Sequence, residues 1–174
     1  MRILLIFCYI LLNTFLVSCG EKSKESPDSQ KNEPVLNTSK KTKDDARDVI
    51  LFFGTSLTAG LGVDLEEAYP ALIQQKIDSL QWPYEVVNAG LSGETTASGK
   101  SRLDWVLNQD VAIFVLELGA NDGLRGVNLT ETKNNLQSII EQVKNKNEET
   151  KIVLLGMEIP PNMGPEYTAE FRSI

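Results

Sequence analysis

Histidine is absent from all 174 residues, and cysteine occurs only twice. The first absence removes the side chain that most often serves as a proton acceptor near neutral pH and as a metal ligand. With so few cysteines, a zinc site built from Cys and His is excluded as well. Basic residues are also in deficit, with 17 Lys and Arg against 24 Asp and Glu and a net charge of −7. Nucleic acid is thereby excluded as a partner, because its binding rests on neutralising phosphates. No Gly-Xaa4-Gly-Lys-Ser/Thr loop is present to cradle a nucleotide. Neither a metal nor any other cofactor is expected.

Long apolar runs are scarce too. The longest stretch, residues 3–17, is interrupted by Asn13 and Thr14 and is too short to span a bilayer comfortably. With Arg2 before it, it reads as a secretory signal. It closes on Leu16-Val17-Ser18-Cys19, which resembles the lipobox of bacterial lipoproteins. Residues 1–18 are therefore expected to be a lipoprotein signal peptide, with Cys19 as the lipidated residue and the cell envelope as the location. Because Cys8 lies inside the signal, the processed chain would carry one cysteine and no disulfide. Residues 19–46 offer almost nothing to bury, with six Lys against six Asp and Glu from residue 20 onward. Such a stretch cannot offset its ordering entropy and is expected to be a disordered tether between membrane and domain. Asn37-Thr38-Ser39 and Asn128-Leu129-Thr130 fit a glycosylation acceptor pattern that carries no weight in a bacterial lipoprotein.

What is present from residue 47 onward is an alternation of two periods. Residues 50–53 form an unbroken apolar run, as a strand buried on both faces of a parallel sheet requires. Gly54 then opens a turn. Tyr69, Leu72, Ile73, Ile77 and Leu80 recur at helical spacing, and Pro70 suits the first turn of that helix. Residues 84–87 make a second strand. A polar helix over residues 94–107 follows, with Leu103, Val106 and Leu107 as its buried side. Residues 111–118 are a third strand broken only by Glu117. Leu136, Ile139, Ile140 and Val143 mark the next helix, which Asn128 and Glu131 are placed to cap. Residues 151–156 give a fourth strand, Pro160-Pro161 a turn, and a further helix begins near Pro165. The order β-α-β-α-β-α-β-α predicts an α/β fold with a parallel sheet and helices on both faces.

In such a sheet the loops at the carboxyl ends of the strands share one crevice. Here they are Gly54-Thr55-Ser56-Leu57, Asn88-Ala89-Gly90-Leu91-Ser92-Gly93-Glu94-Thr95, Gly119-Ala120-Asn121-Asp122-Gly123 and Pro160-Pro161-Asn162. Small and polar residues are dense in all four, and Ser56 stands where a nucleophile belongs.

Over residues 48–174 the sequence resembles the SGNH, or GDSL-type, hydrolases, in particular their arylesterase, thioesterase and lysophospholipase subgroup. Gly54-Thr55-Ser56-Leu57 stands where that family has Gly-Asp-Ser-Leu, so Thr55 replaces the usual acid. Residues 86–95 are similar to the second family block, and residues 117–126, Glu-Leu-Gly-Ala-Asn-Asp-Gly-Leu-Arg-Gly, to the third. The resemblance implies a three-layer, flavodoxin-like fold and a serine esterase needing no cofactor. Its substrates would be acyl esters such as aryl esters, acyl thioesters or lysophospholipids. It assigns Ser56 as nucleophile and the Ser56 N–H, the Gly93 N–H and the Asn121 side-chain amide as the oxyanion hole. Asp122 is expected to be a structural acceptor rather than a catalyst.

A serine hydroxyl needs a base. The family's base is a histidine three residues after an aspartate near the carboxyl end, and that block is absent here. Glu158 and Glu166 are the carboxylates near a strand end, and neither is a convincing substitute. The domain is therefore expected to be truncated before its last strand and helix, and the 174-residue chain to hydrolyse esters weakly or not at all. The alternative is a non-catalytic envelope lipoprotein that binds lipid or glycan in the same crevice.

Overall fold

The computed structural model describes residues 47–174. The expected signal peptide, Cys19 and the expected tether lie outside the described residues. Strand β1 (Asp48–Gly54) leads into the short helix α1 (Ser56–Ala59). A 3-10 turn (Leu65–Glu67), helix α2 (Tyr69–Ser79) and strand β2 (Tyr84–Asn88) follow. Helix α3 (Thr96–Val106), strand β3 (Ile113–Glu117) and the short helix α4 (Ala120–Leu124) come next. The remaining elements are helix α5 (Leu129–Lys146), strand β4 (Lys151–Leu154), a 3-10 turn (Pro161–Met163) and helix α6 (Pro165–Arg172). The four strands are all parallel in the order β2-β1-β3-β4. Gly54 is the last residue of β1 rather than the start of the turn, pairing with Glu117 at the end of β3.

Strand alternation divides the core in two. Leu51 and Phe53 of β1, with Phe114 and Leu116 of β3, face α3 and α5 and meet Leu103, Val106, Leu107, Ile139 and Val143. Phe53 and Phe114 pack with ring centroids 5.6 Å apart. Burying one such ring stabilises the fold by about 1.5–3 kcal/mol. On the opposite face Ile50, Phe52 and Val115 meet Ile77 and the ring of Tyr69 from α2.

The second face is thinly covered. Of the five apolar residues read as the core side of this helix, Ile77 is buried and Tyr69 half-buried, whereas Leu72, Ile73 and Leu80, the last just past the end of α2, are exposed. One 11-residue helix reaches only the β1 and β2 side of that face. On β4, Val153, which pairs with Val115 on this face, is 43% exposed, and Leu154, which pairs with Leu116 on the other, 60%. Among the described residues β4 has a strand neighbour on one side only.

Local chemistry sets the helix starts. Thr95 and Ser98 form a reciprocal capping box on α3. Asn128 caps α5 alone, accepting the Thr130 N–H at 2.8 Å without a return bond from Glu131. Lys144 and Lys146 in the last turn of α5 complement the helix dipole.

Candidate active site

The turn between β1 and α1 is fixed by a carboxylate from β3. Glu117, 2% exposed, accepts four hydrogen bonds. Two come from Thr55, through N (3.0 Å) and Oγ1 (2.7 Å). The other two come from Thr58, through N (3.2 Å) and Oγ1 (2.6 Å). A buried carboxylate is tolerated only when its lone pairs are met in this way. Thr58 spends its hydroxyl proton on Glu117, so the Tyr69 hydroxyl, 2.7 Å from Thr58 Oγ1, must be the donor in that contact. Burial pushes the Tyr69 phenol above its ordinary value; the bond to Thr58 opposes this and the Glu117 carboxylate adds to it. Gly54 permits the clamp, since a Cβ there would stand 2.1 Å from Thr58 Oγ1 and 2.7 Å from Glu117 Oε2.

Ser56 is the first residue of α1 and is half-buried. Among the described residues neither its hydroxyl nor its N–H has a hydrogen-bond partner. It lines a cleft of about 600 Å³ with Leu57, Leu61, Tyr69, Glu117, Leu155 and Met157 among its walls. The chain therefore offers a free hydroxyl at the edge of a largely apolar space.

The loop after β2 lies directly against this turn. Leu91 N donates to Gly54 O at 2.8 Å, and Asn88 Nδ2 donates to Thr58 O at 2.7 Å. Gly90 packs on the α1 backbone so closely that a Cβ would meet Ala59 N at 2.3 Å. Gly93 takes φ = +81°, a conformation that glycine adopts at no steric cost. Its carbonyl accepts from Arg125 Nη2 at 2.9 Å, while its N–H has no partner among the described residues.

The loop after β3 closes on the second loop. Asn121 Nδ2 donates to Glu94 O at 3.0 Å, which occupies one of the two amide hydrogens. Asn121 and Gly93 are thus brought into one neighbourhood. Asp122 is 1% exposed and accepts from Thr96 N (2.9 Å) and Thr96 Oγ1 (2.6 Å), the acceptor role expected of it. The fourth loop enters through Ile159, which a Cβ on Gly123 would meet at 2.6 Å. Glu158 pairs with Arg172 at 3.0 Å on an exposed surface and is no part of this cluster.

Sequence reasoning missed Glu117 as a site-forming residue and treated it as an interruption of an apolar strand. The signal was there: a lone acid in a strand buried on both faces must have partners.

The sequence profile described as the GDSL-like Lipase/Acylhydrolase family matches residues 52–173. Esterase TesA of Pseudomonas aeruginosa is 39% identical over 134 residues, 76% of this chain and 66% of that protein. Thioesterase 1/protease 1/lysophospholipase L1 of Escherichia coli K12 is 39% identical over 130 residues, 74% of this chain and 60% of that protein. The chain thus spans about three fifths to two thirds of the length of these relatives. Among solved structures, the SGNH-hydrolase family esterase AlinE4 superimposes with a TM-score of 0.67 at 41% identity, over 72% of this chain and 67% of that one. With the strand-end serine, the paired second and third loops and the parallel sheet in view, the chain belongs to the GDSL-like lipase/acylhydrolase family, whose SGNH fold it has.

Proposed function

We propose that this protein is an ester or thioester hydrolase in which Ser56 is the nucleophile. Ser56 Oγ attacks the acyl carbonyl carbon as its proton passes to water. The alcohol or thiol leaves with a proton, and water then hydrolyses the acyl-serine to the acid and free Ser56. The developing oxyanion is received by the Ser56 N–H, the Gly93 N–H and a hydrogen of Asn121 Nδ2. The observation that carries this reading is the unengaged Ser56 hydroxyl on a turn clamped by Glu117, at the edge of an apolar cleft. The unpartnered N–H groups of Ser56 and Gly93 support it further. Aryl esters, acyl thioesters and lysophospholipids suit a cleft walled by Leu57, Leu61, Leu155 and Met157. The relatives' names, esterase and thioesterase/lysophospholipase, point the same way. The Leu16-Val17-Ser18-Cys19 motif supports lipidation at Cys19 and anchorage in the bacterial envelope.

These 174 residues hold no histidine. Glu117 cannot stand in as base, since its oxygens already accept four hydrogen bonds. Without such a base these residues support only residual turnover, of the order of 10³–10⁴ over water when a triad member is missing. The test is hydrolysis of p-nitrophenyl acetate by the full chain and by Ser56→Ala. Slow turnover that disappears in Ser56→Ala is expected, and equal rates would overturn the nucleophile assignment. Serine-dependent turnover within tenfold of the Pseudomonas aeruginosa esterase would overturn the claim of weakness. A second reading, favoured by the apolar walls of the cleft, has it bind a lipid or glycan without cleaving it. Retention of such a ligand with no Ser56-dependent turnover would select it.

A further inference from the structure

Arg102, in α3, lies outside every motif that carries the family resemblance, yet its guanidinium reaches both ends of the second loop. Nε donates to Glu94 Oε1 at 2.5 Å and Nη2 to Glu94 Oε2 at 2.5 Å, a two-pronged pairing. Nη2 also donates to Ala89 O at 2.8 Å. The guanidinium carbon stands 4.2 Å from the centroid of the Phe53 ring, which is anchored in the core. The Glu94 side chain is 0% exposed and that of Arg102 21%.

Ala89 and Glu94 bracket residues 90–93 of the loop, and Gly93 directly precedes Glu94. Gly93 is held by Arg125 Nη2 on its own carbonyl at 2.9 Å and, having no side chain, otherwise by what its neighbours hold. Glu94 does this twice, since its carbonyl also receives Asn121 Nδ2 at 3.0 Å. The route from Arg102 to the Gly93 and Asn121 donors is therefore a single residue long.

We propose that Arg102 and Glu94 are positioning residues that set the Gly93 N–H and the Asn121 amide at the spacing an oxyanion requires. The inference rests on the reading of Ser56, Gly93 and Asn121 given above. Arg suits the task because its planar fork grips a carboxylate with two parallel bonds. Lysine, a point charge, can keep attraction to Glu94 but cannot hold both carboxylate oxygens and the Ala89 carbonyl in one plane. Displacing an oxyanion donor by about 1 Å costs on the order of a hundredfold in rate.

The experiment compares Arg102→Lys, Arg102→Met and Glu94→Gln with wild type, using the full chain in detergent micelles. Amide spectra of 15N-labelled protein are read at the Gly93 N–H and the Asn121 side chain, with Leu51 and Val115 as core reference positions. Arg102→Lys is expected to shift the Gly93 and Asn121 signals and leave the core references in place. Exchange of the Asn121 side-chain amide should quicken by about tenfold as its anchor loosens. Ser56-dependent kcat should fall by about tenfold or more with KM within about twofold, the pattern of a lost transition-state contact.

Unmoved Gly93 and Asn121 signals in Arg102→Lys would overturn the proposal. So would equal displacement of the core references, which marks a purely structural role. Should Arg102→Met fail to fold, Arg102→Lys alone decides. If Ser56→Ala turns over as fast as wild type, the hydrolase reading fails, while the spectral comparison still judges the positioning role.

Discussion

Thr55 Oγ1 donates to Glu117 Oε1 at 2.7 Å, joining positions 62 residues apart beneath the serine that lies between Thr55 and Thr58. The family resemblance puts an acid where Thr55 stands. A threonine gives the buried Glu117 a donor in place of a second negative charge. Ser56 is therefore held from both sides by hydroxyl-bearing neighbours whose protons go to one carboxylate.

Glu117→Gln should destabilise the chain by roughly 3 kcal/mol, because an amide turns N–H groups toward donors that had shared a charged acceptor. Thr55→Val should cost about 1–2 kcal/mol, since Glu117 keeps three of its four bonds. Urea unfolding of both variants measures the difference. If Glu117→Gln proved as mild as Thr55→Val, Glu117 would not be the organising acceptor of the turn.

Gly90→Ala should be harmful and Gly156→Ala nearly silent. At Gly90 the new methyl would meet Ala59 N at 2.3 Å and Thr58 C at 2.7 Å, backbone atoms that cannot give way without moving α1. At Gly156 nothing lies within 4 Å. The expected losses are about 1–3 kcal/mol for the first and within about 0.5 kcal/mol for the second. Thermal unfolding of the pair provides the measurement.

Tyr69→Phe removes the donor to Thr58 Oγ1 and should cost about 1 kcal/mol near neutral pH. It should also change the alkaline limb of stability. Because the folded protein holds the Tyr69 phenol above its ordinary value of 10.0, the neutral form is favoured in the native state. Wild type should lose stability as pH rises from the unfolded phenol's value through the higher folded one. The difference between wild type and Tyr69→Phe in urea titrations between pH 8 and about pH 11 isolates that loss. A constant difference over the range would remove Tyr69 from the account.

Asn121→Ala deletes the proposed oxyanion donor and the bond to the Glu94 carbonyl together. Ser56-dependent hydrolysis of p-nitrophenyl acetate should fall by about 10²–10³ from whatever level the chain shows. Asn121→Asp keeps the size but withdraws the donor and adds charge, so it should fall at least as far. A smaller effect in Asn121→Asp than in Asn121→Ala would point to a packing role for this side chain.

The sequence by itself determined the element order, the parallel sheet and the four loops that gather at one edge. The apolar run of β1, the spacing of Leu103, Val106 and Leu107, and the glycine-rich strand ends are local patterns whose periods reveal their elements. Parallel strands carry their carboxyl ends to the same side, so Ser56, Gly93 and Asn121 could be grouped without knowing a distance. Tertiary structure alone decided what holds those loops. Glu117 finds Thr55 and Thr58 some sixty residues earlier, and Arg102 spans Ala89 to Glu94, through contacts that leave no periodic trace. It also decided which apolar residues of α2 are buried. Helical spacing puts Leu72, Ile73 and Ile77 on one stripe, but only the neighbouring strands determine how much of that stripe is covered.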